Sequence, residues 1–236
     1  MSIERLTAPL PADSPPVAAG PADATAAMRL QILSAEHWSL LATRSLAWSE
    51  GFARAGMHLS LLSGAIVALA LVGQGSGFGD AFLMFGVAIL PIVLFAGLTT
   101  HLRLSASNFL DAQCVIGMNR IRAGYLAFAP DLEAYFVTGT RDDIAGISKT
   151  VALPPGTSPI VHVFSATPAL INVVNAVVAG AFVGFVVLLA RGDEVVAVAG
   201  AAVAFVALFV AGTLYGRGRM RALMAAHRPM LPPAGA

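Results

Sequence analysis

The chain has 236 residues, of which 57% are apolar and only 11% charged, and its mean hydropathy is +0.79. A soluble domain carries roughly 25% charged residues, so these few cannot cover a water-facing globule, and lipid is the solvent that fits. A net charge of +1 gives no reason to expect nucleic acid as a partner, and the single cysteine, Cys114, excludes an intramolecular disulfide. One lysine against thirteen arginines, with abundant Ala and Gly, reads as the codon bias of a GC-rich bacterial genome.

In chain order, residues 1–23 are rich in Pro and Ala without an apolar core, and they read as a disordered tail rather than a secretory signal. Residues 24–56 predict a helix. Pro and Gly are absent until Gly51, Asp23 is a candidate N-cap, and Glu50 and Arg54 stand four apart in the favourable order. Both tryptophans, Trp38 and Trp48, fall in this stretch. Either it lies on the membrane surface as an amphipathic helix or it packs on a helix of the central region.

Charges mark the ends of the membrane segments. There are 25 uncharged residues between Arg54 and Asp80, 22 between Asp80 and Arg103, 41 between Lys149 and Arg191, and 22 between Glu194 and Arg217. About 20 apolar residues cross the hydrocarbon core. Pro154, Pro155, Pro159 and Pro168 break the long third gap. The predicted spans are 57–75, 81–102, 167–190 and 195–216, as two hairpins over 57–102 and 167–216. The fold class is therefore an all-α integral membrane protein with four transmembrane helices and additional cytoplasmic helices.

The two hairpin tips together hold one basic residue, Arg191, and the other thirteen lie elsewhere. Basic residues stay on the cytoplasmic side, which predicts a multi-pass protein of the bacterial inner membrane with cytoplasmic N- and C-termini. The central segment, 103–166, then forms a cytoplasmic helical cap. Residues 103–128 continue the second span, a short helix covers 131–137, and Asp142–Ile147 form one more turn. Residues 217–236 read as a basic tail, disordered from Pro229.

Small residues recur every fourth position at Ser60, Gly64 and Ala68, at Ala176, Gly180 and Gly184, and at Gly212 and Gly216. Such stripes let helices approach closely in lipid, either within one chain or between copies. Asn172 and Asn175 are the most polar residues well inside a span. They are candidates to line a pore or to bond a neighbouring helix. No Asp, Glu, Lys or Arg lies inside a span, which argues against a pump or proton-coupled transporter. His58 and His101 fall at span ends, as interfacial anchors or a pH-sensing pair. Pro91 predicts a bend in the second span.

No HExxH, GxSxG or glycine-rich phosphate loop occurs, and no enzyme activity, metal site or cofactor is expected. The acid pairs Asp131/Glu133 and Asp142/Asp143 read as solvated loop residues. Glu36, Arg44, Asn119, Arg120 and Arg122 lie on the two helices expected to pair in the cytoplasm, where they are candidates for a polar network.

The stretch Ala35–Leu46 (AEHWSLLATRSL), together with Gly117–Arg122 (GMNRIR), Tyr125 and Pro130–Phe136 (PDLEAYF), resembles a signature of uncharacterised actinobacterial small membrane proteins. That resemblance implies class but no activity. By layout, residues 28–125 also resemble SLATT domains, two-span modules proposed as pore-forming effectors in bacterial defence. The second hairpin departs from that pattern. Two functions follow as expectations: a homo-oligomeric pore or channel-like protein, or an accessory scaffold whose cytoplasmic helices bind a protein partner or anionic lipid.

Overall fold

The computed structural model describes residues 21–151 and 167–231. The elements run α1 (Pro21–Ser76), α2 (Asp80–Phe128), a short 3₁₀ helix (Pro130–Tyr135), α3 (Ile144–Thr150), α4 (Thr167–Arg191) and α5 (Glu194–Ala226). No strand occurs among the described residues. The helices α1, α2, α4 and α5 are each long and apolar enough to cross a membrane. The expected disorder of the N-terminal tail, up to residue 20, lies outside the described residues, as does most of the proline-rich approach to α4. Because α1 starts at Pro21, Asp23 stands inside the first turn rather than at the cap. Proline is tolerated there because its missing N–H would be unpaired anyway.

The two hairpins turn by different means. α1 ends at Ser76, and the chain reverses through Gly77 (φ 63°) and Phe78 (φ 59°). A phenylalanine rarely adopts the left-handed region. Here its N–H bonds to Gly73 O at 2.9 Å. Its ring covers Gly73 so closely that a Cβ there would lie 2.5 Å from it, and it meets Phe82 edge-on at 5.3 Å. In the second hairpin Gly192 (φ 67°) caps α4 through a bond to Leu188 O. Asp193 then caps α5 by accepting from the N–H groups of Val195 and Val196.

Helices of 56 and 49 residues are about 84 and 74 Å long at 1.5 Å per residue, whereas a hydrocarbon core is only about 30 Å thick. Both therefore continue well past the apolar zone as an antiparallel stalk. Of the two sequence readings for residues 24–54, packing on the central region is the observed one. Leu69 faces Gly86, Gly51 faces Leu104, Leu40 faces Gly117 and Leu33 faces Gly124. The ring of His37 stacks on Tyr125 at 5.8 Å. The predicted Glu50–Arg54 pair is present, and Glu50 also receives Arg103 across the hairpin. α2 is continuous through Pro91, whose side chain faces outward.

The apolar zone holds one core cluster of Ala65, Leu90, Val93 and Val178, with Phe182 and Phe185 packed against it. A second cluster in the stalk joins Val115, Ile116 and Met118 of α2 to Ile147 of α3 and Met224 of α5. α5 continues ten residues past the expected span end at 216, to Ala226, so the predicted basic tail is helical in its first half. Only Ala197 of α5 is fully buried, so this helix rests on the bundle by one side.

That single-sided contact depends on close approach. A Cβ at Gly180 would lie 2.9 Å from the carbonyl oxygen of Ala201 on α5, an atom that cannot rotate aside. Gly180→Ala is expected to destabilise the fold by about 1–3 kcal/mol through overpacking. Gly75→Ala, where nothing lies within 4 Å, is expected to have little effect. Thermal loss of the helical circular-dichroism signal in detergent compares the two.

Candidate functional site

The polar chemistry gathers where the stalk meets α3 and the residues after α5. Asn119 sits at the centre with no exposed surface. Its Nδ2 donates to Arg141 O at 2.8 Å, and its Oδ1 accepts from Arg122 Nη1 at 2.9 Å and from Thr150 Oγ1 at 2.7 Å. Thr150 Oγ1 also accepts the N–H of Gly139 at 3.0 Å. The loop can close this way because Gly139 and Gly146 touch backbone to backbone. A Cβ on Gly139 would lie 2.1 Å from Gly146 O. Asp143 caps α3 by accepting from Gly146 N, and it pairs with Arg141.

Beside this amide lies Asp142, also without exposed surface. Its carboxylate accepts from Arg120 Nε at 2.8 Å and from the N–H groups of Met230 and Leu231 at 2.8 and 3.2 Å. Its main-chain oxygen accepts from His227 Nε2 at 2.6 Å, which identifies that ring nitrogen as the protonated one. Burial alone would push the Asp142 carboxyl up. The bonds from Met230, Arg120 and Leu231 outweigh it and hold the group below the usual carboxylate range. Reading Asp142 as a solvated loop acid is thus corrected, because it anchors the chain that follows α5. The expected disorder from Pro229 is corrected as far as residue 231, since Met230 and Leu231 are bonded here; residues 232–236 lie outside the described residues. Asp131 and Glu133 are exposed, as expected.

A second polar centre lies further along the stalk. Arg44 straddles the Asp111 carboxylate, with Nη2 to Oδ2 at 3.3 Å, and Trp48 Nε1 donates to Oδ1 at 2.8 Å. Among the residues expected to form one network, Asn119, Arg120 and Arg122 belong to the first centre and Arg44 to the second. Glu36 is exposed and belongs to neither.

Within the apolar zone Asn172 and Asn175 both face other helices of the same chain. Asn172 Nδ2 donates to Phe209 O at 2.9 Å, and its amide fills the space left by Gly212. Asn175 lies between Gly97 of α2 and His58 of α1, so near that a Cβ on Gly97 would be 1.8 Å from Oδ1. His58 is 2% exposed and Asn175 0%. No hydrogen bond reaches the ring nitrogens of His58 or the amide of Asn175 among the described residues. Packing rather than bonding sets their place. His101 is buried too, with Nδ1 donating to Pro168 O at 3.1 Å, so neither histidine is an anchor reaching an interface. Gly180 and Gly184 contact Ala201 of α5, whereas Ser60 is exposed and nothing lies within 4 Å of a Cβ at Gly64.

In the stalk each central donor has an acceptor, and the arrangement is suited to holding chain segments together. Among the described residues no group of three His, Cys, Asp or Glu side chains could hold a metal ion. Asp111, Asp142, Thr150 and His227 are the participants that sequence reasoning missed. Asp111 had a signal, because it lies two turns beyond Arg103 just as Arg44 lies about two turns before Glu50. His227 and Asp142, far apart in the chain, had none.

No protein-family model matches the chain, and no curated protein or solved structure is similar to it.

Two outcomes follow from these centres. A carboxyl whose pKa is depressed by folding stabilises the folded form above its ordinary range and stops doing so as pH falls through the folded value. Residues 227–231 are therefore expected to be protected from amide exchange at pH 7 and released at strongly acidic pH, and Asp142→Asn should release them already at pH 7. Hydrogen–deuterium exchange of that peptide reads both. Asp111→Ala leaves Arg44 and Trp48 without their acceptor and should destabilise the stalk by about 2–3 kcal/mol. Proteolytic cleavage rates within residues 25–50 check this.

Proposed function

We propose that the protein is a self-associating membrane protein, its copies meeting along the first span and each holding a helical stalk outside the bilayer. One observation carries this reading. Gly56, Ser60 and Gly64 recur every fourth residue on a face of α1 that the protomer leaves bare: all three are exposed, and nothing lies within 4 Å of a Cβ at either glycine. In the second hairpin Gly180, Gly184 and Gly212 are occupied within the chain, and of its stripe glycines Gly216, half-buried, has nothing within 4 Å of a Cβ. In lipid, close backbone approach along such a face favours association. Thirteen of fourteen basic residues lie away from the hairpin tips, which supports a cytoplasmic stalk.

A conducting form of this reading would place the path between copies, since Asn172 and Asn175 are enclosed within each protomer. The scaffold reading is favoured by a different observation: α1 leaves Leu30, Trp38 and Leu41 exposed along one face of the stalk. A protein partner that covers this face would account for them.

The test is the mass of the purified protein in detergent, alone and after cross-linking. The wild type is expected to form a multimer. Ser60→Leu/Gly64→Leu should shift it toward monomer by about tenfold in dissociation constant, about 1.4 kcal/mol, without loss of helical content. A strictly monomeric wild type would overturn the reading. Flux from liposomes loaded with a fluorescent ion reporter separates the two forms, since only a conducting assembly releases the load.

A further inference from the structure

Three helices part at the stalk end of the apolar zone. Between α2, α4 and α5 they leave a cavity of about 240 Å³. Its charged lining is Arg217 and Arg219, and no Asp or Glu among the described residues contributes to the wall. Arg217 ends the 22 uncharged residues that follow Glu194. The cavity therefore sits at the level where α5 leaves the apolar zone, the depth of lipid head groups.

Its walls are held before anything enters. Asn172 Nδ2 bonds α4 to α5 through Phe209 O, and Thr213 lies 3.4 Å from the same nitrogen. His101 Nδ1 ties α2 to Pro168 in the first turn of α4. The guanidinium of Arg219 lies 5.2 Å from the centre of the Phe109 ring, and its Nη1 donates to Tyr215 Oη at 3.2 Å. This bond leaves most of its five donors free. Ser105 and Asn108 add further polar groups on the α2 side.

We propose that this cavity binds a phosphate group at the bilayer surface, with Arg217 and Arg219 as its charge partners. Two guanidinium groups without a carboxylate among the lining residues are matched by an oxyanion. Basic pockets between membrane helices at head-group depth take lipid phosphates. The volume is below the roughly 300–1,000 Å³ of pockets for drug-sized ligands, so it admits a head group while acyl chains stay in the bilayer. The site lies within one protomer and does not depend on self-association.

The experiment uses the full chain in detergent, titrated with phosphatidylglycerol and, in a separate arm, with inorganic phosphate, with binding read by native mass spectrometry and thermal shift. Wild type is expected to bind the lipid. Arg217→Ala/Arg219→Ala should bind it about tenfold more weakly, while Arg29→Ala, distant on the stalk, should match wild type. Arg217→Gln alone, at an exposed position, keeps the test valid if the double variant does not fold, and it should weaken binding several-fold. Binding of the lipid but not of inorganic phosphate assigns the site to a head group. Arginine-dependent binding of both assigns it to the oxyanion itself. Binding of neither, or arginine variants indistinguishable from wild type, overturns the proposal.

Discussion

The antiparallel contact between α1 and α2 is the constraint on which the rest of the molecule depends. It runs from the Phe78 turn past the apolar zone to Leu33 and Gly124 without changing register. α2 is the element the others share. α1 lies along it, α4 packs on its apolar half through Val93, Val178 and Phe185, and α3 docks on its stalk half through Ile147 and Asn119. Any shift of α2 relative to α1 would move Asp111 away from Arg44 and Trp48, and Gly97 away from His58.

The two zones of this hairpin are held by different physics. In a bilayer no hydrophobic force would separate helix from lipid in the apolar zone, and association there would rely on van der Waals fit and a few polar contacts. Gly86 receives Phe185, Gly97 receives Asn175 and Gly212 receives Asn172, each a side chain set against a missing one. In the stalk, water competes for each polar group, and partly buried charge pairs with additional donors take over. Asp111 accepts from an arginine and one neutral donor, and Asp142 from an arginine and two main-chain N–H groups.

The spans and turns were legible because charges and glycines punctuate the sequence there. Asp80, Arg103 and Arg217 bracket the apolar runs, whereas the caps at Gly192 and Asp193 became plain only with the helices placed. The pairing of residues 24–54 with 103–128 was one of two open readings, and an interfacial helix would have carried the same Trp and Leu residues. The polar centres were legible in composition and not in partnership. Arg44 and Asn119 stood out, but their acceptors depend on interhelical register and on a chain return far along the sequence. Asp142 shows the limit most plainly. Beside Asp143 it looks like a solvated loop acid, and only segments distant in sequence bury it. The stripe Ser60, Gly64 and Ala68 was visible in the sequence, but that Ser60 and Gly64 stay bare within the protomer, and that Gly56 extends their row, required the neighbours to be placed.

The Asp142 anchor bears on the order in which the molecule is made. Its carboxylate is sealed by Met230, which follows 88 positions later in the chain. The α1–α2 hairpin and α3 can assemble while those residues are still being synthesised, and during that interval Asp142 remains hydrated and the stalk lacks its last neighbour. Bringing distant segments together carries a closure penalty that grows only slowly with separation, so the 88 positions between the partners add little to the cost of this contact. Burial of a single carboxylate thus reports that the second hairpin has been delivered to its place.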